Sequence, residues 1–462
     1  MMFHRFAGLR HAHFVGIGGA GMSGIAEVLA QYEVKVSGCD LAGGETVARL
    51  ERLGVAISLG HAPAHLEGVD LVVISSAIAP DNPELAAARA RGITVVRRAE
   101  MLAELMRLKY GVAVAGTHGK TTTTSLVGAI LTEAGLDPTV IVGGRLRVSG
   151  TGARLGRSDY MVVEADEFDR SFLSLAPILA VITSIDRDHL DTYRDLDEIQ
   201  DAFGAFASRV PFFGQVIACA DDPNVRDLLP RLADRRVVTY GLDDDHDLSA
   251  RQLETTPAGS RFRLHQRGAG ELGGIEIPLP GLHNVRNALA AIGVGLALGI
   301  PVPAIARALA GFAGVHRRFE RLGTWHGAEV VDDYAHHPTE VAATLAAARQ
   351  VFPRRQLHAV FQPHLYSRTR DLAEEFGRAL LGADRVVVTD VYPSREKPIP
   401  GVTGELVARA ARALGHGRVA YCADWHAATA LLDGVSEGDV VLTLGAGDIY
   451  RLAENLVAEA KR

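Results

Sequence analysis

A chain of 462 residues with 48% hydrophobic and 22% charged side chains has the makeup of an ordinary globular protein, long enough for about two to four domains with separate cores. Its formal net charge of −7 gives no reason to expect nucleic acid or an anionic membrane surface as partner. Cys39, Cys219 and Cys422 lie far apart without a C-x-x-C pair. This argues for a reducing compartment and against a disulfide scaffold or a cysteine-based zinc site; with no signal-peptide pattern and no bilayer-length apolar run, a cytoplasmic enzyme without membrane insertion is expected.

In chain order, His13-Phe14-Val15-Gly16-Ile17-Gly18-Gly19-Ala20-Gly21-Met22-Ser23-Gly24 reads as a strand, a glycine turn and a helix start. Gly16-x-Gly18-x-x-Gly21 fits the dinucleotide fingerprint, and Asp40 ends the next strand, 34–38. The physics of that fingerprint is a diphosphate on a helix N-terminus and an acid on a ribose hydroxyl, which a UDP-sugar satisfies as well as NAD. A strand at 69–75 leads into a polar turn from Ser75 and Ser76 to Pro83, where open α/β sheets place ligands. Helices at 84–91 and 99–108 and a strand at 94–97 complete a small Rossmann-like domain ending near 107–111.

The strand 112–115 then runs into Gly116-Thr117-His118-Gly119-Lys120-Thr121-Thr122, with an amphipathic helix beginning near Thr121. Such a turn converges backbone N–H groups on an anion, Lys120 neutralises phosphate oxygens, and the Thr121 hydroxyl is suited to Mg²⁺. This is a cradle for a nucleoside triphosphate. It departs from the full G-x-x-x-x-G-K-S/T pattern, because Val114 stands where the first glycine belongs.

The strand around 159–164 delivers Glu164, a candidate Mg²⁺ ligand, to the sheet edge; Asp166 and Glu167 read more readily as solvated acids. After a strand at 179–184 comes Asp186-Arg187-Asp188-His189-Leu190-Asp191, where His189 is a candidate second metal contact. A lysine-free helix is expected at 193–209, strands at 212–218 and 236–240, a helix-opening turn at 221–224, and a hairpin from 261–264 with 274–278. Asn284 is expected to start or cap a helix reaching 298, with Asn287 one turn on; both suit one ligand such as adenine, or a simple cap. Arg317 and Arg318 fall in an expected hinge.

In the last third, strands end in polar turns at Asp332-Asp333-Tyr334-Ala335-His336-His337-Pro338, at Gln362-Pro363-His364-Leu365-Tyr366-Ser367-Arg368, at 390–396 and at 445–448. This predicts a second Rossmann-like sheet with a binding edge and a helix starting at Pro338. The His336/His337 and Asp332/Asp333 pairs lack zinc-ligand spacing, and a turn presenting Asp333, Tyr334 and His336 to a nucleotide or substrate fits better.

These blocks, taken in order, resemble the Mur ligase family over essentially the whole chain. The resemblance implies a three-domain α/β protein: a Rossmann-like UDP-binding domain (1–107), a central P-loop ATPase domain (108–322) and a C-terminal Rossmann-like domain that receives the amino acid (323–462). It implies an ATP-dependent ligase joining L-alanine to the lactyl carboxylate of UDP-N-acetylmuramate through an acyl phosphate, with small-molecule partners only, as a monomer or homodimer. Gly18, Gly19, Ala20, Gly21, Met22 and Ser23, with Asp40 and Ser75, would hold the UDP-sugar. Gly116, Thr117, His118, Gly119, Lys120, Thr121 and Thr122 would hold ATP, with Asn284 and Asn287 on adenine and Arg317 and Asp333 reaching the nucleotide on closure. Thr121, Glu164 and His189 would ligate Mg²⁺. Tyr334, His336, His364 and Arg368 would line the amino-acid and acyl-phosphate pocket, with His336 or His364 as base. The chain lacks the modified lysine that other members carry after the D-H-x-D block, as expected of the alanine-adding kind, and Leu365 replaces a basic residue common in relatives. Two other classes remain open on the residues alone: an NAD-dependent oxidoreductase and a non-catalytic P-loop switch. Within the family, so does a ligase recycling a tripeptide onto the same sugar nucleotide.

Overall fold

The computed structural model describes residues 8–32, 34–75, 77–143, 152–190, 192–394 and 396–461. The chain divides into two compact units, one of Met1–Arg251, Arg263–Gly273 and Arg286–Ala313, the other of Gln252–Phe262, Gly274–Val285 and Gly314–Arg462. Among the described residues the strands form three sheets.

The first sheet contains β1 (His11–Val15), β2 (Lys35–Asp40), β3 (Ala56–Leu59), β4 (Leu71–Ile74) and β5 (Thr94–Arg97), all parallel in the order β3-β2-β1-β4-β5. The crossovers are α1 (Ala20–Ala30), α2 (Glu45–Arg52) and α3 (Pro83–Ala90), and α4 (Arg98–Arg107) follows β5. Asn82 caps α3, its side chain accepting the N–H groups of Glu84 at 2.9 Å and Leu85 at 3.3 Å, with Pro83 preset at the first helical position. Chain reversal between β1 and β4 makes the C-terminal edge of this sheet a topological switch point, where ligands bind.

The second sheet is built from β6 (Tyr110–Ala115), β7 (Thr139–Ile141), β8 (Ala153–Arg154), β9 (Tyr160–Glu164), β10 (Leu179–Ile182), β11 (Gln215–Cys219), β12 (Val237–Gly241), β13 (Leu248–Thr256), β14 (Gly259–Gln266) and β15 (Gly270–Ile277). Its parallel middle places β6 between β10 and β9. The helices are α5 (Lys120–Glu133), α6 (Leu196–Ala207), α7 (Pro223–Leu228), α8 (Leu282–Ala297) and α9 (Val302–Ala310). One apolar core, with Phe14, Ile25 and Leu29 at one end and Phe172, Phe203 and Phe206 at the other, runs continuously through the first two sheets.

The expected hairpin is a three-stranded meander: β13 was not anticipated, and β14 and β15 extend beyond 261–264 and 274–278. The expected strand at 212–218 starts only at Gln215, because Phe212 is 90% exposed in the preceding turn. The helix expected from 193 starts at Leu196, where the Asp195 side chain accepts the Glu198 N–H at 2.9 Å. Tyr193 is instead a core residue whose hydroxyl donates to Glu167 O at 2.7 Å.

The third sheet lies wholly in the second unit and runs β16-β17-β21-β18-β19-β20. It contains β16 (Glu320–Trp325), β17 (Ala328–Asp333), β18 (Leu357–Phe361), β19 (Arg385–Thr389), β20 (Val419–Cys422) and β21 (Val440–Leu444). Only β16 is antiparallel to its neighbour. Its helices are α10 (Pro338–Val351), α11 (Tyr366–Asp371), α12 (Ala373–Leu380), α13 (Glu405–Ala413) and α14 (Tyr450–Glu459). Helix α10 starts at Pro338 as expected, capped by the His337 side chain with Glu340 reaching back.

Candidate active site

Residues 116–119 form the turn between β6 and α5. Gly116 and Gly119 have φ of +135° and +82°. A side chain at 116 would strike the Thr183 hydroxyl, and one at 119 the Asn287 amide oxygen. The segment after β10 braces the turn. Ser184 O accepts the Thr117 N–H and Ser184 Oγ the His118 N–H, both at 3.0 Å, while the Asp186 N–H donates to Thr117 Oγ1 at 2.9 Å. His118 Nε2 lies 3.1 Å from Asp186 Oδ2. The first-turn N–H groups of α5, including those of Lys120, Thr121 and Thr122, have no carbonyl partner inside the helix and stand at the positive end of its dipole.

Lys120 Nζ donates to Gly116 O at 2.7 Å and to both carboxylate oxygens of Glu167, at 3.0 and 2.8 Å. Burial alone would lower this ammonium's pKa; the charges of Glu167, Asp166 and Glu164 outweigh burial and hold it above the usual lysine range. Glu167, expected to be solvated, is therefore a correction: it is 1% exposed and pairs with Lys120. Thr121 Oγ1 lies 3.1 Å from each oxygen of Glu164, which also accepts the Gly143 N–H at 2.7 Å. A hydroxyl and a carboxylate at one point suit a hard divalent cation. His189 has a positive φ of 54° and packs edge-on against Phe168, with a buried Nδ1 that has no hydrogen-bond partner. Asp191, of the same sequence block, lies outside the described residues.

Asn284 does not cap α8 but sits within its first turn, its amide donating to Pro280 O at 2.7 Å. Asn287 is buried against the phosphate turn, 3.3 Å from the Thr123 hydroxyl. It thus meets the loop that faces phosphate.

At the first sheet's edge, Gly18 and Gly19 form the turn into α1, and Ala20 and Gly21 open that helix. The Gly18 N–H donates to Asp40 Oδ2 at 2.9 Å, so Asp40 braces the glycine turn itself. Met22 and Ser23, expected to touch ligand, are each 2% exposed, and Met22 belongs to the core. Ser75 lies just past β4 and its carbonyl accepts the Ile78 N–H; Ser76 lies outside the described residues. A residue not anticipated is Arg98: its guanidinium lies over Gly21, and it lines a pocket with Glu164, Asp166 and Ser171. A lone arginine at the start of a helix carries no sequence signal for this.

In the second unit, Arg317 is consumed internally. It bonds Asp332 Oδ2 at 2.9 Å, Gly447 O at 3.1 Å and Gly445 O at 2.6 Å, and stacks on Tyr334 and Tyr450. These bonds fix the guanidinium within the second unit. Asp333 accepts the N–H groups of Phe319 at 2.7 Å and Ala335 at 2.8 Å. Burial lifts its carboxyl to about 6 against the pull of Arg318 and those two amides. His336 Nδ1 lies 3.0 Å from Tyr334 O and 3.2 Å from Glu340 Oε2, and its ring meets that of His364 edge-on at 5.6 Å. His364 Nδ1 lies 3.3 Å from Arg368 Nη1 and its ring stacks on Tyr392. Leu365, with φ of +68°, is buried.

Comparison with known proteins agrees with this arrangement. Three family models match in sequence: "Mur ligase family, catalytic domain" over 11–110, "Mur ligase middle domain" over 114–295, and "Mur ligase, glutamate ligase domain" over 317–447. A UDP-N-acetylmuramate–L-alanine ligase of Sorangium cellulosum is 52% identical over 458 residues, covering 98% of this chain and 97% of that protein. The chain belongs to the Mur ligase family. A second ligase of that name, from Syntrophobacter fumaroxidans, is 48% identical across 100% of this Mur ligase and 97% of its own length. Among solved structures, a UDP-N-acetylmuramate–alanine ligase from Thermotoga maritima superposes with a TM-score of 0.82 at 30% identity, covering 98% and 99% of the two chains. A murein peptide ligase from Psychrobacter arcticus gives 0.71 at 25% identity, covering 97% and 98%.

Proposed function

We propose that this Mur ligase joins L-alanine to the lactyl carboxylate of UDP-N-acetylmuramate at the expense of ATP, a step of peptidoglycan precursor synthesis in the cytoplasm. The observation that carries the reading is near-full-length identity of about one half to several proteins of that name. The braced glycine turn with Lys120 supports it. On this reading residues 1–107 take the UDP-sugar, 108–322 ATP, and 323–462 the amino acid.

A carboxylate is a poor acylating agent because its leaving group is oxide. Transfer of the γ-phosphoryl of ATP makes it an acyl phosphate, whose leaving group is phosphate. The turn amides of 116–122 and Lys120 bind and orient the triphosphate and stabilise charge on the moving phosphoryl. Lys120 must exchange part of its Glu167 pairing for phosphate oxygens to do so. Thr121 and Glu164 would hold Mg²⁺, with His189 at a second position. Bound there, the ion neutralises phosphate charge. Arg98, near both the glycine turn and the acid edge, would hold the sugar nucleotide's anionic groups. Asn284 and Asn287 remain assigned to the nucleotide, Asn287 toward its phosphate end.

Attack on the acyl phosphate needs a neutral amine, hence a base. We assign this role to His336, because Glu340 and the Tyr334 carbonyl fix its ring as an orienting group fixes a general base. Arg368 beside His364 supplies positive charge for the acyl phosphate and the expelled phosphate. Asp333 would reach the nucleotide, and Arg317 would keep its turn in shape. The test is phosphate release from ATP with UDP-N-acetylmuramate and, separately, alanine, serine, glycine and a tripeptide. Alanine is expected to give the highest kcat/KM; preference for the tripeptide would favour the recycling ligase, and release indifferent to both substrates would refute ligation.

A further inference from the structure

Behind the first sheet's binding edge lies a group of side chains that the ligase reading does not use. Glu84, in the first turn of α3, is 0% exposed. Its carboxylate accepts the Cys39 Sγ–H at 2.8 Å and lies 2.5 Å from His65 Nδ1 and 3.1 Å from His61 Nδ1. His13, in the middle of β1, is 1% exposed; its Nδ1 is 2.9 Å from Ser37 Oγ, but its Nε2 is buried without a hydrogen-bond partner. That Nε2 stands 3.7 Å from Glu84 Oε1, beyond hydrogen-bond reach but facing the carboxylate. One ligand atom each from His13, Cys39, His65 and Glu84 lies within 4.8 Å of the others.

We propose that His13, Cys39, His65 and Glu84 form a site for one thiophilic divalent cation of the zinc class, separate from the nucleotide-binding residues. Two imidazoles, a thiolate and a carboxylate are the donors such an ion takes, in a closed four-coordinate set. Bonds of about 2.0–2.3 Å put tetrahedral ligand atoms about 3.3–3.8 Å apart, so no pair need close by more than roughly 1 Å, while the hydrogen-bonded contacts of Glu84 with His65 and Cys39, at 2.5 and 2.8 Å, open to admit the ion. The buried His13 Nε2, without a hydrogen-bond partner and facing the Glu84 carboxylate, is a donor atom left over for a ligand at this cluster. The Ser37 hydroxyl, shared between His13 Nδ1 and His11 Nε2 at 2.8 Å, fixes the His13 ring so that Nε2 faces inward. His61 Nδ1 lies 3.1 Å from both Cys39 Sγ and Glu84 Oε2.

Glu84 gathers a thiol and two imidazoles around one buried carboxylate, with Cys39 donating its thiol proton to it. Coordination forms the metal–sulfur bond and sends that proton to solvent. The four ligands come from β1, β2, the turn Pro63–Leu66 and α3, so the ion would pin these elements together. It also explains why cysteine spacing, read alone, argued against such a site: one cysteine suffices when three other elements supply the rest.

The full-length protein, stripped with chelator, kept reduced and held in excess Mg²⁺ to occupy hard oxygen sites, is titrated with Co²⁺. A thiolate-to-cobalt charge-transfer band that saturates at a single equivalent and is bleached by equimolar Zn²⁺ is expected. Cys39→Ser should abolish the band, and His65→Gln, at a partly exposed ligand, should keep a folded protein and weaken Co²⁺ affinity by more than about tenfold. No band at stoichiometric cobalt, a band that survives Cys39→Ser, or unchanged affinity in His65→Gln overturns the proposal.

Discussion

Replacing Lys120 with alanine tests more than phosphate binding. Its Nζ is the partner of Glu167, at 3.0 and 2.8 Å, and Glu167 is 1% exposed. Removing one member of a buried pair typically costs about 3–5 kcal/mol, because the other charge stays buried. Glu167 has one escape: it takes up a proton in the folded state. From an ordinary carboxyl pKa of 4.5, holding it neutral at pH 7 costs roughly 3 kcal/mol at about 1.4 kcal/mol per pH unit. The expected loss at pH 7 is therefore about 3 kcal/mol. The sign follows from the acid's raised folded-state pKa: the deficit is small near the unfolded pKa and grows as pH rises above it. Urea unfolding between about pH 5 and 8 measures it; far-ultraviolet circular dichroism is the suitable probe, because Trp325 and Trp425 both lie in the second unit. Lys120→Met with Glu167→Gln should recover most of the stability while ATP turnover stays absent and UDP-sugar binding survives. A deficit that does not vary with pH, or a double variant no more stable than the single one, would refute the buried-pair account.

Gly119→Ala forces a Cβ into a φ of +82° and against the Asn287 amide. A cost of about 2–4 kcal/mol is expected from the backbone penalty and the clash together, with a raised KM for ATP; unchanged melting and KM would contradict it. Arg317→Ala strips Asp332, 1% exposed, of its ion pair, and should lower stability by about 3 kcal/mol. Its read-out is calorimetry of the second unit's transition, and a loss confined to ATP affinity would instead restore the phosphate-contact role. Glu84, held at about 2 against a reference of 4.5, contributes stability that is complete above pH 4.5 and drains as pH falls toward 2. The wild-type advantage over Glu84→Gln in chelator should therefore shrink on acidification, by up to about 3 kcal/mol; a constant or growing gap would be inconsistent with that.

Much of the fold was legible because it is parallel. Buried strands such as β6, β10 and β21 are short apolar runs ending in polar residues, and the helix starts carry their own marks, Asn82-Pro83 and His337-Pro338 among them. The meander was misread because β13 and β15 alternate polar and apolar residues weakly, with many exposed positions. Phe212 and Phe213 misled by composition: two aromatics suggested burial, yet they are exposed side by side. At the site, sequence found the loop and the Thr121–Glu164 pairing partners. It missed Glu167, because a third acid after a strand looks like solvated charge until Lys120 is placed beside it. Arg98 and the Glu84 cluster were invisible for a related reason: their partners come from distant elements, and no local spacing encodes them.

The central chemical claim is that ATP activates the sugar carboxylate before the amine arrives. UDP-N-acetylmuramate carrying heavy oxygen in its lactyl carboxylate, incubated with ATP, Mg²⁺ and L-alanine, tests it directly by mass analysis of the released phosphate. One labelled oxygen per phosphate, with ADP and a new amide formed in equal amounts, is the predicted result. Unlabelled phosphate, or AMP and pyrophosphate in place of ADP, would contradict it.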